Sequence, residues 1–529
     1  MPQAISDFLQ SKYFRLTAYL VLISFLAYFT LQLFIYHYQV ITYPFPMEYR
    51  EGTILVTTDM LLKGENPYAL VNQPQATNIY GIFYNLLLVP LVKLFSHTLL
   101  VHRLVSGFFV LASCGLMYHC LRFLKVSHLF TIPAVVLFYL FLLFPSTTTA
   151  LPGPHSLGEF LFLGSIFIPF WSNYSKKSLM ISLILGLCAF YSKTYFFVGI
   201  IFLSFYLVLF VSKKKGLLYG LSAIFLIVGS GLIVTRFMDC YFNNTLMINY
   251  NFAGDSLPHA RFQVGEFFTQ LREITFFALL ILIIQGIMFF KNLPKSSVNQ
   301  TLSKPRLLNL FSFNQPLVNR PMDLIFFYFL LTTLLIYFKL GRHGGSWMAY
   351  LFHLMTPFFL ILTFRYIDRL KNIKLLFIPI IIANCFHLWT YFEKVDFKVY
   401  WDHWTQVKEL IGPCHNILNS PAIVPFLVEE NKPVYDSGQS EIFKVGGYRP
   451  GILRQLLVPG RPYVLRHYQF LGEIRDKIEK KEFDLLVLTK DYAPFAPGEI
   501  TQFYNYIGTI HVVMPHPRQN WFLTFWRPK

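Results

Sequence analysis

The sequence predicts an α-helical polytopic membrane protein with a C-terminal α/β domain outside the bilayer. Only 14% of its 529 residues are charged and 55% are hydrophobic, whereas about 25% are charged in an ordinary soluble protein. Apolar runs long enough to span a bilayer recur from the N-terminus to about residue 391. From residue 393 onward, proline, glycine and charged residues become frequent, and short β-like runs replace the long apolar ones.

The first apolar run follows Lys12 and Arg15 and extends over about 20 residues, from Leu16 to Ile35. Because no small-residue cleavage site comes after it, we interpret it as a retained span and not as a signal peptide. Further runs of similar character bring the prediction to about eleven spans. The candidate spans are 16–36, 103–121, 129–145, 156–172, 178–192, 195–211, 217–235, 274–290, 322–340, 347–364 and 374–391.

One more apolar run, 82–96, is assigned from the positions of the basic residues. Basic loops such as 213–215 and 291–320 fall on the side of Lys12 and Arg15 only if this run does not cross the membrane. Since basic loops favour the cytoplasm, we interpret 82–96 as an interfacial or re-entrant helix on the outer face. The N-terminus is then cytoplasmic. Residues 1–392 form the transmembrane domain of a multi-pass plasma (inner) membrane protein, and residues 393–529 form an extracytoplasmic α/β domain.

The net charge of +18 does not indicate a nucleic-acid partner, because the basic residues lie in short loops between apolar runs. The loop 291–320, rich in Ser, Asn, Lys and Pro, is predicted to be a flexible inner linker. In the outer domain, the segments 432–435 and 484–489 have the composition of short strands. Membrane lipids are the partners that this composition favours.

Polar residues collect in the predicted outer loops. Glu48 and Glu51 lie in the first outer loop, 37–81, and share one face if this segment is helical. A solvated surface helix would explain them equally well, and Asp59 is expected to pair with Lys63 four residues later. Lys193, in a tight turn, opposes the positive-inside bias, so it either extends to the interface or binds an anion. The remaining outer groups are His155 with Glu159 at i,i+4, and Arg342 with His343 between glycines.

Several short motifs occur in or beside these outer loops. They are Glu51-Gly52 followed by a helix and Gly64-Glu65-Asn66-Pro67-Tyr68, then His102-Arg103-Leu104-Val105-Ser106, Gly153-Pro154-His155-Ser156-Leu157, Phe190-Tyr191-Ser192-Lys193-Thr194 and Gly341-Arg342-His343-Gly344-Gly345. Their order and their shared side resemble the GT-C superfamily of membrane glycosyltransferases. The resemblance is closest to the bacterial family-39-like enzymes, which are related to protein mannosyltransferases and the lipid A aminoarabinose transferase. The sequence departs from that family in three places: Glu51 stands where many relatives have Asp, a Pro-Pro-Leu segment is absent from 79–89, and His155 replaces an acidic residue.

The resemblance implies inverting transfer of a sugar from a polyprenyl-phosphate-sugar donor to a hydroxyl of a lipid, glycan or protein acceptor. Such chemistry needs a carboxylate base for the acceptor and cations for the leaving phosphate. Glu51 is the first choice for the base and Glu48 the second. Arg342, His343 and Lys193 are the candidates for binding the donor phosphate. His155 and Glu159 form a structural hydrogen-bonded pair, line the cavity or bind a divalent metal ion. No other cofactor is implied.

The main alternative is a transporter or flippase of lipid-linked saccharides, and a membrane scaffold is a third interpretation. Transport favours ionisable groups near mid-membrane and internal repeats. The sequence has neither feature, since its charges cluster at the ends of the spans on one side. The transferase hypothesis is therefore preferred.

Overall fold

The computed structural model describes residues 11–145, 149–247, 256–291, 321–343, 351–369, 374–398, 400–438, 460–489, 497–515 and 519–529. The predicted linker 291–320 lies, except for its first residue, outside them. The helices up to residue 392 are α1 (Lys12–Thr42), α2 (Arg50–Leu62), α3 (Phe83–Leu94), α4 (Leu99–Phe123), α5 (His128–Leu143), α6 (Pro154–Trp171), α7 (Lys176–Ser192), α8 (Val198–Tyr206), α9 (Lys213–Phe237), α10 (Leu257–Gln270), α11 (Arg272–Lys291), α12 (Pro321–Phe338), α13 (Phe352–Asp368) and α14 (Phe377–Phe392).

Each predicted span overlaps one of these helices. Five helical stretches in the described residues are long and apolar enough to cross a bilayer, and α3, α5 and α14 are apolar but shorter. Outward-facing leucine, isoleucine and phenylalanine side chains remain exposed along α1, α4 and α9, as expected for helices that contact lipid. The chain is an integral membrane protein, while the number of crossings stays a prediction.

Helix α3 occupies the run 82–96 that we assigned to the membrane surface. Its 12 residues span only about 18 Å at 1.5 Å per residue, well short of the roughly 30 Å of a hydrocarbon core. Asn85 Nδ2 fixes it to α2 by donating to the carbonyl of Ile54 at 2.9 Å and to Thr58 Oγ1 at 2.8 Å. Its length is compatible with a surface or re-entrant helix, and its position relative to the membrane stays a prediction.

The C-terminal part contains a four-stranded mixed sheet. Its elements are α15 (Trp401–Ile411), β1 (Ile417–Leu418), α16 (Val424–Glu429), α17 (Gly460–Glu479), β2 (Leu485–Leu488), α18 (Pro497–Ile500), β3 (Tyr504–Met514) and β4 (Gln519–Pro528). The strand order is β1-β2-β4-β3, with β1 parallel to β2 and the other pairs antiparallel. Strand β2 lies within the predicted segment 484–489. The strand predicted at 432–435 is wrong, because the Asn419 side chain binds the backbone N–H groups of Tyr435 and Asp436.

The C-terminal part packs against the segment 43–98, which we call the loop segment. Thr53 Oγ1 of α2 donates to the Ser437 carbonyl at 2.7 Å, and Ser437 N donates to the Gln75 carbonyl at 2.9 Å. Gly52 faces Val424 of α16 so closely that an added Cβ would lie 2.7 Å from the valine Cβ. Helix α2 is therefore covered by the C-terminal part, and the polar residues of the loop segment are removed from bulk water.

Candidate active site

Glu51 is buried in an ion pair with Arg103. Its Oε1 accepts from Arg103 Nε at 2.9 Å, and its Oε2 accepts from Arg103 Nη2 at 2.9 Å. The backbone N–H of Met47 donates a further hydrogen bond of 2.7 Å to Oε2. The side chain is only 1% exposed, so most of its acceptor capacity is used by the protein itself.

Arg103 connects the loop segment to the second long membrane helix. It is fully buried near the start of α4. Besides the Glu51 carboxylate, it donates to the backbone carbonyl of Phe45 at 2.9 Å and to that of Tyr43. A guanidinium carries five N–H donors in a rigid fork, and here they join the end of α1 to the start of α2. The Glu51–Arg103 pair thus fixes the path of residues 43–51.

Glu48 lies just before α2 and has a different partner. Because α2 begins only at Arg50, the expectation that Glu48 and Glu51 share one helix face is wrong. Glu48 Oε1 accepts from Arg50 Nε at 2.6 Å, and Oε2 accepts from the Arg50 backbone N–H at 2.9 Å. Burial raises the pKa of Glu48 above its ordinary value, although the Arg50 guanidinium acts in the opposite direction. A carboxylate with a raised pKa is a stronger base.

Lys193 lies at the centre of a buried polar group. Its Nζ donates to His155 Nε2 at 2.6 Å and lies 4.9 Å from the ring centre of Tyr80 and 5.0 Å from that of Tyr195. Arg50 Nη1 reaches the same Tyr80 and donates to its hydroxyl at 3.3 Å. Burial lowers the pKa of Lys193 well below its ordinary value, and the Arg50 charge lowers it further. We call the residues Arg50, Tyr80, His155, Lys193, Tyr195 and His353 the Lys193 cluster.

Tyr195 and His353 are bonded to each other within this cluster, and Glu159 lies close to them. The Tyr195 hydroxyl and His353 Nε2 share a hydrogen bond of 2.8 Å. Glu159 lies one turn after His155 on α6, is fully buried, and interacts electrostatically with the Tyr195 phenol. Within the described part of the chain, neither carboxylate oxygen of Glu159 has a hydrogen-bond partner, and neither does His353 Nδ1. These are the polar groups that a ligand could satisfy.

Arg342 and His343 lie at the end of a short turn after α12. The backbone N–H of Ser256, just before α10, donates to the Arg342 carbonyl at 2.9 Å. The rest of this glycine-rich turn, Gly344-Gly345, and residues 248–255 before α10 lie outside the described residues. In the described contacts, Lys193 and His155 are bonded directly. Glu48 is linked to Lys193 through Arg50 and Tyr80. Arg342 lies beside α10.

The residues around His155 and Glu159 do not fit a divalent metal ion. No group of three or more His, Cys, Asp or Glu side chains in the described ranges is arranged to hold one. The Nε2 atom of His155, which a metal could use, instead accepts from the Lys193 ammonium group at 2.6 Å. A carboxylate, a lysine and one available imidazole nitrogen are a poor set of ligands for a metal. Lining a cavity is the role that this arrangement suits.

Sequence reasoning assigned no role to Arg50, Tyr80, Arg103, Tyr195 or His353. Arg50 stands between the two glutamates, and Arg103 is a charge close to the start of an apolar run, so both carried a signal. The chain has 32 tyrosines and 15 histidines, and nothing in the local sequence distinguishes Tyr80, Tyr195 or His353 from the others. Only the folded arrangement selects these three.

The fold is similar to that of two solved crystal structures of ArnT from Cupriavidus metallidurans, a lipid A aminoarabinose transferase with the GT-C fold. The structure of ArnT bound to undecaprenyl phosphate matches with a TM-score of 0.55 and 12% identity, over 94% of this chain and 97% of ArnT. The apo structure matches with a TM-score of 0.53 and 11% identity, over 95% and 98%. No family model and no curated protein sequence matches the chain. The chain has the GT-C fold, as its motifs predicted.

Proposed function

We propose that this chain is a membrane glycosyltransferase that moves a sugar from a polyprenyl-phosphate donor to an acceptor hydroxyl, with inversion, on the extracytoplasmic face. The observation that carries this proposal is the burial of two cations, Arg50 and Lys193, in one cluster beside the buried carboxylate of Glu48. Undecaprenyl phosphate bound to a protein of the same fold supports a lipid phosphate as part of the donor.

The cations suit a leaving phosphate. As the bond from the sugar to the phosphate breaks, negative charge grows on the phosphate oxygens, and preorganised donors stabilise it. Lys193 and Arg50 interact electrostatically with each other, so an anion beside them would also offset the repulsion between like charges. His155 accepts a hydrogen bond from the Lys193 ammonium group and thereby orients it. We therefore assign phosphate binding to Lys193 and Arg50.

Glu48 is better suited than Glu51 to be the base. The oxygens of Glu51 are held by Arg103 and by the Met47 N–H, which makes that side chain part of the scaffold. Glu48 also pairs with an arginine, but that arginine is Arg50 of the Lys193 cluster, and burial raises the pKa of Glu48. In a single displacement, Glu48 takes the acceptor hydroxyl proton and the acceptor oxygen bonds to the anomeric carbon. Polyprenyl phosphate then leaves with the electron pair of the broken bond.

The position of the Lys193 cluster favours transfer over transport. His155 is the second residue of α6, Lys193 directly follows α7, and His353 is the second residue of α13. A transporter that moves a polar group across the bilayer would need ionisable groups near the middle of its helices. Charges at helix ends instead suit chemistry at the membrane surface, where a lipid phosphate lies.

The test uses the full chain in lipid nanodiscs with undecaprenyl phosphate and a panel of undecaprenyl-phosphate-linked sugars. We expect Lys193→Met to weaken the binding of undecaprenyl phosphate about 10–100-fold, as for the loss of a buried charge-assisted hydrogen bond. Lys63→Met is the matched control, because Lys63 is half exposed and pairs with Asp59 on the surface of α2. Glu48→Gln should retain binding and lose transfer by about 100-fold or more. Wild-type protein that binds no undecaprenyl phosphate, or that translocates the donor without transferring sugar, would contradict the proposal.

A further inference from the structure

Two buried polar groups next to Tyr195 have no use in the mechanism above. Glu159 is fully buried and His353 is 3% exposed. In the described part of the chain, both oxygens of Glu159 and the Nδ1 atom of His353 lack hydrogen-bond partners. A buried carboxylate without a partner costs folding free energy, and a ligand that bonds to it would offset that cost.

The geometry places Glu159 and His353 beside His155, which binds Lys193. Glu159 follows His155 by four residues on α6, which corresponds to about 6 Å along the helix axis and the same face. The ring centres of His155 and His353 are 6.2 Å apart, and the Tyr195 hydroxyl is bonded to His353 Nε2. A group attached to a phosphate at Lys193 would therefore meet the Tyr195 ring, His353 and Glu159 next.

The chemistry of these groups matches sugar hydroxyls. An ionised carboxylate only accepts hydrogen bonds, whereas Nδ1 of a neutral imidazole donates or accepts according to its tautomer. A hydroxyl can do both, so neighbouring hydroxyls on one ring can satisfy Glu159 and His353 together. The aromatic face of Tyr195 suits the apolar C–H side of such a ring. A carboxylate carried by the ligand at this place would lie beside the Glu159 carboxyl group, and two neighbouring carboxyl groups cannot both be ionised without repulsion.

We infer that Glu159, Tyr195 and His353 form the subsite that binds the hydroxyl groups of the transferred sugar and discriminates against sugars that carry a carboxylate. This inference rests on the proposed function, because it takes the phosphate at Lys193 as the point of attachment. Glu159 and His353 are then determinants of donor specificity, separate from the residues that bind the phosphate.

The experiment compares the affinities of the full chain in nanodiscs for three ligands: bare undecaprenyl phosphate, undecaprenyl-phosphate-linked neutral hexoses, and the corresponding uronic acids. The affinity for hexose-linked undecaprenyl phosphate divided by the affinity for bare undecaprenyl phosphate measures the contribution of the sugar to binding. We expect Glu159→Gln to reduce this ratio about 10-fold or more, by removing a charged acceptor, and to leave the affinity for the bare phosphate unchanged. The same variant should bind the uronic acids better than the wild type does. Lys193→Met, the matched control, should weaken all ligands and preserve the ratio.

Thermal unfolding separates this role from a structural one. Removing a buried carboxylate that has no protein partner should leave the melting temperature of Glu159→Gln equal to or above that of the wild type. A lower melting temperature, or an unchanged affinity ratio in Glu159→Gln, would overturn the inference. So would a wild-type protein that binds undecaprenyl phosphate and gains no affinity from any linked hexose. A wild type that binds no undecaprenyl phosphate would instead contradict the proposed function itself.

Discussion

Replacing Glu51 by glutamine should mainly lower the stability of the fold, because Glu51 is part of the scaffold and not the base. The sequence motif alone makes Glu51 the natural choice for the base, and a base variant is expected to fold normally. The structure instead pairs both oxygens of Glu51 with Arg103, whose side chain has no solvent exposure. Glu51→Gln leaves that guanidinium buried without its counter-ion.

The magnitude follows from the burial of the pair. Removing one partner of a buried ion pair costs about 3–5 kcal/mol. Arg103 keeps its hydrogen bonds to the carbonyls of Tyr43 and Phe45, so we expect a loss of about 3 kcal/mol, near the lower end of that range. For a large domain this corresponds to a fall in Tm of about 6–12 °C. Removing both charges in Glu51→Gln/Arg103→Met should recover part of the loss.

The assay is thermal unfolding of the purified chain in nanodiscs, followed by intrinsic tryptophan fluorescence. Asp59→Asn is the matched control, a carboxylate-to-amide change in the same helix. Asp59 pairs with Lys63, which is 49% exposed, and such surface pairs contribute about 1 kcal/mol or less. Glu51→Gln that melts with the wild type and yet fails to transfer sugar would refute this reasoning and return Glu51 to the role of base.

Three further predictions concern the Lys193 cluster. Burial raises the pKa of Glu48, and only the ionised carboxylate accepts a proton. The transfer rate should therefore fall on acidification at a pH above the ordinary carboxyl pKa. A pH–rate profile should show this fall for the wild type and not for Glu48→Gln. Because the pKa of Lys193 is lowered and only its ammonium form attracts phosphate, the affinity for undecaprenyl phosphate should fall as the pH rises through that lowered pKa, and Lys193→Met should abolish this dependence. Gly81→Ala would place Cβ 1.9 Å from the Tyr191 carbonyl oxygen, so it should displace the neighbouring tyrosine at position 80, lower the melting temperature and weaken undecaprenyl phosphate binding. Gly115→Ala, which meets no atom within 4 Å, should change neither measurement.

The fold was predictable where the signal is local. Hydropathy over about 20 residues is enough to locate a membrane helix, and each predicted span overlaps one. The assignment of 82–96 to the membrane surface came from the charges of distant loops; the 12-residue helix found there is compatible with it, and the assignment stays a prediction. A strand was wrongly predicted at 432–435, where the backbone is bound by Asn419, a residue outside the run whose composition suggested a strand. Composition cannot reveal a competing partner of that kind.

The candidate site was also predictable only where the signal is local in the sequence. The Asp59–Lys63 pair is local on one helix, and its prediction is confirmed by a distance of 2.6 Å. Lys193 was recognisable because a lysine on the predicted outer side needs a reason to be there. The partner of Glu51 lies 52 residues away on another helix, and no spacing rule connects them. Without that contact, the two glutamates of the first loop cannot be ranked.

The two glutamates show why similar residues at neighbouring positions need not share a role. Both glutamates pair with a buried arginine, but Glu51 accepts hydrogen bonds from Arg103 Nε, from Arg103 Nη2 and from the Met47 N–H. In the described residues Glu48 accepts from Arg50 alone, so it keeps more acceptor capacity for a proton. A loop that carries a base must nevertheless be held firmly, because small displacements of a catalytic group are costly. Here the Glu51–Arg103 pair ties residues 43–51 to α4 and leaves Glu48 in contact with Arg50 and, through Tyr80, near Lys193. Arg103 should therefore act as a positioning residue: Arg103→Lys, which keeps the charge and loses the fork, should lower the transfer rate with little change in the affinity for undecaprenyl phosphate. A variant that instead loses phosphate binding and keeps its rate would place Arg103 in the donor site and remove it from the scaffold.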